Sequence, residues 1–417
     1  MTSSIAAFVR AIPPPTASKT ASATHPLRPR PRRRPLVTAC AQTDAKHMQR
    51  AVELAKKAVG QTRPNPPVGC VLTTPEGRVI GEGYHLRAGF NHAEVNALQD
   101  AKNRHEQLAG STAYVSLEPC NHYGRTPPCS AALLEAGVKR VVVGMIDPDP
   151  RTAGNGVKTL RQAGVSVHVG VQSSLCTQLN EGFVHRVRHK RPFGILKYAM
   201  TLDGKIAATD GTSKWVTGPA SRQCVQHIRR SVDAIIVGGQ TLRKDDPRLT
   251  VRDGRQLDAD GRPLLSPLRV VMTKTFRLPT EARLWNHLEH TPTIVLADAS
   301  HGNPAVANEL IARGVTVEQV PGLSPDDVMD YLYHKDCINV LWECGGNLAS
   351  QAVRSGAVQK LCAFIAPKLV GGLHAPTPLA DPPVAHGMSG AVLLHNHSCQ
   401  VFENGDVLIS AYVKDTE

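Results

Sequence analysis

Apolar positions along this chain switch repeatedly between the period of a helix and that of a strand. Met48, Ala51, Val52, Ala55 and Val59 recur at helical spacing, with Asp44 placed as a cap and Gly60 as a stop. Val68 to Leu72 and Arg78 to Gly83 predict two strands around a Thr-Pro-Glu-Gly turn, and a helix opens near His92 and runs through Val95, Ala97 and Leu98. Strands at Ala113 to Leu117, Lys139 to Met145 and Val165 to Val169 then alternate with helices at Ser130 to Ala136 and Val157 to Gly164. Such alternation implies a sheet covered by helices on both faces, so the first unit is α/β.

Near residue 190 the pattern resets at a basic, Pro-terminated segment, His185 to Pro192, and a new apolar strand starts at Phe193. Strands at Asp233 to Val237, Leu268 to Met272, Thr293 to Ala297, Val340 to Trp342 and Lys360 to Ala366 follow, interleaved with helical stretches at 219–230 and 347–356. The second unit is α/β as well. No 20–50-residue repeat is visible, which argues against solenoids and propellers.

The 417 residues are 41% hydrophobic and 20% charged, and no apolar run approaches the 18 residues of a membrane span. Ten cysteines without a repeating framework suit free thiols or metal ligands. The formal net charge is +13, but residues 1–43 contain no acid and carry +7 of it through Arg10, Lys19, Arg28, Arg30 and Arg32 to Arg34. That Ser-, Thr-, Ala- and Pro-rich stretch has the composition of an unstructured organelle transit peptide, with Val37-Thr38-Ala39-Cys40-Ala41 resembling a plastid processing site. A nucleic-acid-binding arm or a mitochondrial address has the same composition. Aromatics at 4% leave little material for stacking bases, which argues against a nucleic-acid partner.

His92-Ala93-Glu94 stands at an expected helix start, and Pro119-Cys120 and Cys129 follow it. One imidazole and two thiolates leave a fourth tetrahedral position of Zn²⁺ open, as catalytic zinc requires. In zinc deaminases of the H-x-E and P-C-x-x-C pattern the metal activates water while the Glu, itself no ligand, moves protons. Glu94 fits that role. His92, Cys120 and Cys129 fit the ligands, although the cysteines stand nine apart instead of three. A zinc scaffold without catalysis shares the ligands but has no use for Glu94, and a nucleic-acid base deaminase shares the whole set but is disfavoured by the low aromatic content.

Thr62 to Cys70, Gly83-Tyr84-His85, His92-Ala93-Glu94 and the run Leu117 to Cys129, with its long insert between the cysteines, resemble the deaminase half of the riboflavin-biosynthesis deaminase-reductase family. The resemblance implies a cytidine-deaminase-like αβα fold over 44–190. It also implies hydrolytic deamination of 2,5-diamino-6-ribosylamino-4(3H)-pyrimidinone 5′-phosphate, with Asn65 and His85 against the substrate.

The second half holds no G-x-G-x-x-G or Walker-type loop. Its polar residues crowd strand ends: Lys197, Thr201, Asp203 and Lys205, then Ser213 to Gly218. Leu196 to Ala207, Ser213 to Gly218, Asp233 to Gly238, Asp245 to Arg252, Glu343 to Gly346 and Ala366 to Gly372 are similar to the family's reductase domain, so the resemblance spans about 46–415. It implies a dihydrofolate-reductase-like α/β fold over 192–417. NADPH would lie against Ala199, Trp215, Thr241, Asp245 and the Gly345–Gly346 turn. The ribosyl phosphate would face Lys197, Ser213, Arg229, Leu249, Arg252 and Glu343, two arginine forks suiting a phosphate dianion. The chemistry implied is hydride delivery to C1′ of the opened ribose, giving the ribityl chain.

Val358-Gln359-Lys360 departs from the family's Val-Asp-Glu and puts local packing or dimer contacts in question. Plant relatives split the two activities between proteins, so a chain with one working half is the alternative within the family. The expected partners are a small pyrimidine ribosyl phosphate and further copies of the chain, with no nucleic acid and no membrane; the expected location is the plastid stroma.

Overall fold

The computed structural model describes residues 36–123, 127–258, 261–298 and 303–414. Most of the expected transit peptide, and Gly124-Arg125-Thr126 of the cysteine insert, lie outside them. The first half contains α1 (Leu36–Lys56), β1 (Gly69–Thr73), β2 (Val79–Tyr84), α2 (Ala93–Asn103), β3 (Thr112–Val115), α3 (Cys129–Glu135), β4 (Arg140–Val143), α4 (Asn155–Gln162) and β5 (Ser166–Val169). Its five strands lie in the order β2-β1-β3-β4-β5, antiparallel across β2, β1 and β3 and parallel from β3 to β5.

One face of this sheet buries Leu72, Ala97, Val115 and Leu133 with α2 and α3. The other buries Val71 and Val142 against Met48, Ala51 and Val52 of α1. The expected two-sided covering is therefore present. At Gly83 a Cβ would stand 2.3 Å from the Ala97 backbone nitrogen, so the glycine brings α2, and with it His92 and Glu94, close onto β2.

Two expectations at the N-terminal end are corrected. The stretch expected to be unstructured through residue 43 is helical from Leu36, because no Pro or Gly interrupts 36–56. Asp44 therefore lies inside α1 and caps nothing. It is buried and accepts from Arg140 Nη1 and Nη2 at 2.8 and 2.6 Å and from the Tyr114 hydroxyl at 3.0 Å. Burial opposes its charge, and these bonds nonetheless hold its carboxyl below the ordinary value.

Two short helices, α5 (Ser173–Leu179) and α6 (Glu181–His189), lead into the second half. There follow β6 (Phe193–Thr201), α7 (Pro219–Arg230), β7 (Ala234–Gly238), α8 (Gly239–Asp245), β8 (Leu268–Thr273), β9 (Thr293–Asp298), α9 (Pro304–Ala312), β10 (Thr316–Val320), α10 (Pro325–His334), β11 (Asn339–Trp342), α11 (Gly346–Arg354), β12 (Lys360–Ala366), β13 (Leu394–Val401) and β14 (Val407–Val413). The nine strands lie in the order β10-β9-β8-β7-β11-β6-β12-β14-β13. They are parallel from β10 to β12 and antiparallel over the last three. The chain proceeds outward from β7 to β10, then returns to insert β11 between β7 and β6. Their carboxyl ends thus form a topological switch point, where open α/β sheets form a crevice for ligands.

Ala41–Glu417 make one compact unit that holds both sheets. Gly60, with φ +77°, lies so near Arg230 that a Cβ would stand 2.0 Å from its carbonyl oxygen. At the departure from the family pattern, Gln359 Oε1 accepts from Gly194 N at 2.7 Å, and Lys360 Nζ meets Glu181 Oε1 at 2.7 Å and the Tyr412 hydroxyl at 3.1 Å. Gln359 is thus tied to β6, and Lys360 to α6 and β14. Among the described residues no helix is long and apolar enough to cross a membrane.

Candidate active sites

The first site sits where two helices begin. His92 is the N-cap residue of α2 and Glu94 its second residue; Cys129 opens α3, and Cys120 lies in the segment before it. The imidazole and the two thiols come together, their ligand atoms all within 4.8 Å of one another. His92 Nδ1 is 3.6 Å from Cys120 Sγ and 3.3 Å from Cys129 Sγ. Zinc bonds of 2.0–2.1 Å to nitrogen and 2.3 Å to sulfur give a tetrahedral edge of about 3.5 Å, so the set fits the ion.

Cys120 Sγ also accepts from the Cys129 backbone N–H at 3.3 Å, at the positive end of α3. Hydrogen bonding from Cys129 and His92 outweighs burial and holds the Cys120 thiol down to about 4, so this sulfur carries negative charge. Glu94 is 3% exposed. Burial, with the Cys120 charge beside it, pushes its carboxyl up to about 7.

A cavity of about 670 Å³ opens over these groups and is lined also by Asn65 and His85. Asn65 Nδ2 is 3.1 Å from His85 Nε2, and His85 Nδ1 is 3.0 Å from the Asn91 carbonyl, so the ring donates from Nδ1 and accepts at Nε2. Burial lowers the His85 pKa to about 4 and keeps the ring neutral. Five of the six residues expected at the deaminase site therefore line one cavity, and the sixth, Cys129, lies buried beside His92 and Cys120.

Two features of this cavity escaped sequence reasoning. Glu118 is buried and accepts from the backbone N–H groups of Asp147, Gly154 and Val157 at 3.2, 2.8 and 3.0 Å, which fixes the loop carrying the cavity residues Asp147 and Asp149. A carboxylate directly before Pro119-Cys120 was the available signal. The second feature is the wall formed by Phe183, Arg186, Val187 and Lys190 around α6 and by Tyr333 of α10. Arg186 stacks over the Tyr333 ring at 4.1 Å and donates to the Tyr333 carbonyl at 2.9 Å. No local pattern could announce a contact between residues so far apart in the chain.

The second site lies at the switch point. Lys197 extends from β6 and Glu343 follows β11; Lys197 Nζ is 3.8 Å from Glu343 Oε2. Arg229 at the end of α7 donates from Nε and Nη2 to Glu343 at 2.6 and 2.9 Å, and from Nη1 to the Thr250 carbonyl at 3.3 Å. Burial opposes the Glu343 charge, and Arg229 and Lys197 overcome it, holding the carboxyl at about 2. Ser213 Oγ donates to Asp245 Oδ1 at 3.2 Å, which joins an expected substrate residue to an expected cofactor residue. Ala199 is half-buried on β6, and Thr241 lies on α8 near the Gly345 turn, where a Cβ on Gly345 would be 3.9 Å from Thr241 Oγ1.

Gly345 is the N-cap of α11 and Gly346 its first residue, and no side chain caps the free N–H groups there. A bare glycine helix start at the end of a parallel strand suits a nucleotide phosphate, so the turn fits NADPH. Arg252 is largely exposed; partial burial of its guanidinium first, and then the charges of Arg229, Arg248 and Arg283, lower its pKa.

Three expected residues are placed differently. Leu249 is 3% exposed, with its side chain in the sheet core and φ +51°, so only its backbone is left for a ligand. Arg229 spends its fork on Glu343 and the Thr250 carbonyl instead of on a phosphate, because a buried cation needs a counter-charge. Trp215 is 65% exposed under the Arg222 guanidinium at 4.4 Å, on a loop held by Lys368 Nζ at its carbonyl, 2.8 Å. Among the described residues no hydrogen bond or ring contact joins it directly to the other expected cofactor residues, although Ser213 on the same loop reaches Asp245.

Residues 41–145 match the cytidine and deoxycytidylate deaminase zinc-binding region, and residues 192–408 match the RibD C-terminal domain. The riboflavin biosynthesis protein RibD of Synechocystis sp. is 46% identical over 341 residues, covering 81% of this chain and 88% of the relative. The chloroplastic riboflavin biosynthesis protein PYRR of Arabidopsis thaliana is 39% identical over 349 residues; the match covers 81% of this chain but 56% of that longer protein. Among solved structures, RibD of Acinetobacter baumannii superposes with a TM-score of 0.77 at 35% identity, over 90% of this chain and all of the other. The diaminohydroxyphosphoribosylaminopyrimidine deaminase/5-amino-6-(5-phosphoribosylamino)uracil reductase of Thermotoga maritima gives 0.77 at 33% with the same coverage. Two domain matches in one chain, each over a site of matching chemistry, lead to one conclusion: the chain belongs to the RibD family of riboflavin-biosynthesis enzymes, with a zinc-dependent deaminase half and an NADPH-dependent reductase half.

Proposed function

We propose that this chain deaminates 2,5-diamino-6-ribosylamino-4(3H)-pyrimidinone 5′-phosphate in residues 44–190 and reduces the product to 5-amino-6-ribitylaminouracil 5′-phosphate in residues 192–417. The observation that carries the reading is the meeting of His92, Cys120 and Cys129 beside a buried Glu94, in one chain with the Lys197, Glu343 and Arg229 cluster.

In the first step His92, Cys120 and Cys129 hold the metal and Glu94 moves the protons. When bound, zinc supplies the Lewis acidity that makes water nucleophilic at neutral pH. The Glu94 carboxylate takes one proton from the attacking water and passes it to the ring nitrogen, then takes the second from the hydroxyl now on that carbon and delivers it to the leaving amine. The carbon that bore the amine gains oxygen, ammonia leaves and Glu94 is regenerated. Asn65 and His85 face the base, the neutral His85 acting as a hydrogen-bonding wall without competing for metal.

In the second step NADPH, when bound, supplies the hydride. Gly345, Gly346, Thr241, Asp245, Ala199 and Trp215 would seat it. Lys197 holds a proton against the Glu343 carboxylate and polarises the opened sugar, while Arg229 keeps that carboxylate charged and in place. Ser213 and the Leu249 backbone would orient the ribosyl chain, and Arg252 amid its cationic neighbours would meet the phosphate.

The acid-free stretch 1–43 and the chloroplastic relatives from Arabidopsis thaliana and Zea mays support a transit peptide and a plastid stromal location. An unprotected edge on the second sheet supports a homo-oligomer. The direct test of the first step is Glu94→Gln. It should keep zinc by elemental analysis and lose deamination by about 10²–10⁴-fold, the usual share of a general acid–base group; retained turnover would remove Glu94 from the proton path.

A further inference from the structure

The loop 213–218, which carries Ser213 and Trp215, is tied down along its whole length. Ser213 Oγ donates to Asp245 Oδ1 at 3.2 Å, and Lys368 Nζ donates to the Trp215 carbonyl at 2.8 Å. Arg222 Nη1 donates to the Thr217 carbonyl at 2.7 Å while its guanidinium covers the Trp215 ring. Beyond Thr217 the chain turns at Gly218 into α7, the helix whose last turn carries Arg229. A helix start leaves backbone N–H groups unpaired and gathers positive potential there. The sequence of α7 answers neither: Gly218 offers no capping side chain, and no acid stands in the first turn.

The missing group arrives from 188 residues away. Asp406, in the turn between β13 and β14, is 1% exposed, and its Oδ2 accepts from the Gly218 backbone N–H and from Ser221 Oγ, each at 2.7 Å. Gly218 lets that turn come so near, since a Cβ there would stand 2.0 Å from Asn404 Nδ2. The turn is closed on itself by the Phe402 N–H donating to the Asp406 carbonyl and the Gly405 N–H donating to the Phe402 carbonyl, both at 2.9 Å. Among the described residues Asp406 has no ion-pair partner within 4 Å, so its carboxylate is answered by the start of α7 and the Ser221 hydroxyl. A buried charge is costly unless hydrogen bonds hold it, and both of these bonds serve one junction, the exit of the 213–218 loop.

We propose that Asp406 is a positioning residue of the reductase. By holding Gly218 and Ser221 it fixes the end of the loop and so the place of Trp215 against NADPH and of Ser213 against the sugar. The inference rests on the reading that this loop seats the cofactor, and it names the residue that keeps the loop in place. Asp406 lies buried behind the loop and acts only through it.

The test measures the steady-state kinetics of both reactions on the full chain. Asp406→Ala should raise the KM for NADPH about tenfold, the effect of losing a hydrogen bond to a charged group. At saturating NADPH its kcat should stay within about threefold of wild type, because placing a binding loop helps ground state and transition state alike. Deaminase turnover should be unchanged. Asp406→Asn, which keeps the shape and an acceptor oxygen, should recover most of the lost affinity. Trp285 and Trp342 are buried, so iodide quenching of tryptophan emission reports on Trp215 and should change in Asp406→Ala. Should Asp406→Ala fail to fold, as lost deaminase turnover would show, Ser221→Ala removes one of the two bonds and should raise the same KM about threefold. A KM that stays at the wild-type value in these variants, or a fall in kcat alone, overturns the anchor. Trp215→Ala tests the underlying reading separately: a raised KM there with an unchanged one at Asp406 leaves the cofactor loop intact without its anchor, and an unchanged KM in Trp215→Ala overturns both.

Discussion

The two sites of this chain are assembled by opposite means. The zinc site draws its metal ligands and Glu94 from 38 residues of sequence, and two helix starts fix them in a buried pocket. The reductase cleft draws on β6, α7, α8 and the turn after β11, so its groups meet only when a nine-stranded sheet has closed around a switch point. In the first, burial raises Glu94 and lowers His85, while hydrogen bonds from Cys129 and His92 overcome it to leave charge on Cys120. In the second, burial is opposed by pairing, and Glu343 keeps its charge because two cations face it. The lesson is that compact metal chemistry tolerates local change poorly but depends little on the far fold, whereas a distributed cleft depends on pairs spanning the sheet.

Substitutions should separate the two regimes, beginning with the largest effect. Cys120→Ser removes a ligand, so elemental analysis should find the zinc lost and deamination abolished, while reduction of the already deaminated substrate stays near wild type; normal zinc content would overturn the ligand set. Arg229→Ala leaves the Glu343 carboxylate buried beside Lys197 alone, a loss of about 3–5 kcal/mol in chemical denaturation. Reductase turnover should collapse with it, and a stability within 1 kcal/mol of wild type, roughly the worth of an exposed pair, would show the pair to be idle.

Asp245→Ala frees Ser213 and should weaken NADPH binding about tenfold by fluorescence titration, as expected for loss of a charged hydrogen-bond acceptor. Unchanged affinity would remove Asp245 from the cofactor site. A further effect, seen only in acid, concerns pH. The Glu343 carboxyl is held at about 2 against an ordinary 4.5, so its contribution is complete above pH 4.5 and is lost as pH falls toward 2. Glu343→Gln should therefore flatten the fall in stability over that window, and an unaltered acid limb would contradict the pairing.

Much of this was legible beforehand, for reasons the structure makes plain. The strands at 268–272, 293–297 and 360–366 are buried parallel strands, whose continuous apolar runs announce themselves. β10 and β13 went unanticipated because edge strands carry polar residues, as in Thr-Val-Glu-Gln-Val and Leu-His-Asn-His-Ser-Cys-Gln-Val. At the sites, residue type spoke for His92, Glu94, Cys120 and Cys129 because metal and proton chemistry admits few alternatives. Residue type could not say that Leu249 turns its side chain into the core, or that Arg229 answers a carboxylate before any phosphate. Those facts depend on φ and on partners more than 100 residues away, as with Arg229 and Glu343.

The central claim is that both sites work in one chain, and a product assay tests it most directly. Full-length protein would be given the diaminopyrimidine ribosyl phosphate with and without NADPH, and the products weighed by mass spectrometry. The account predicts deaminated product without cofactor and its ribityl form, two hydrogens heavier, when NADPH is present. Deaminated product that NADPH never converts, or a chain that reduces added deaminated substrate but never makes it, would contradict the claim of two working halves.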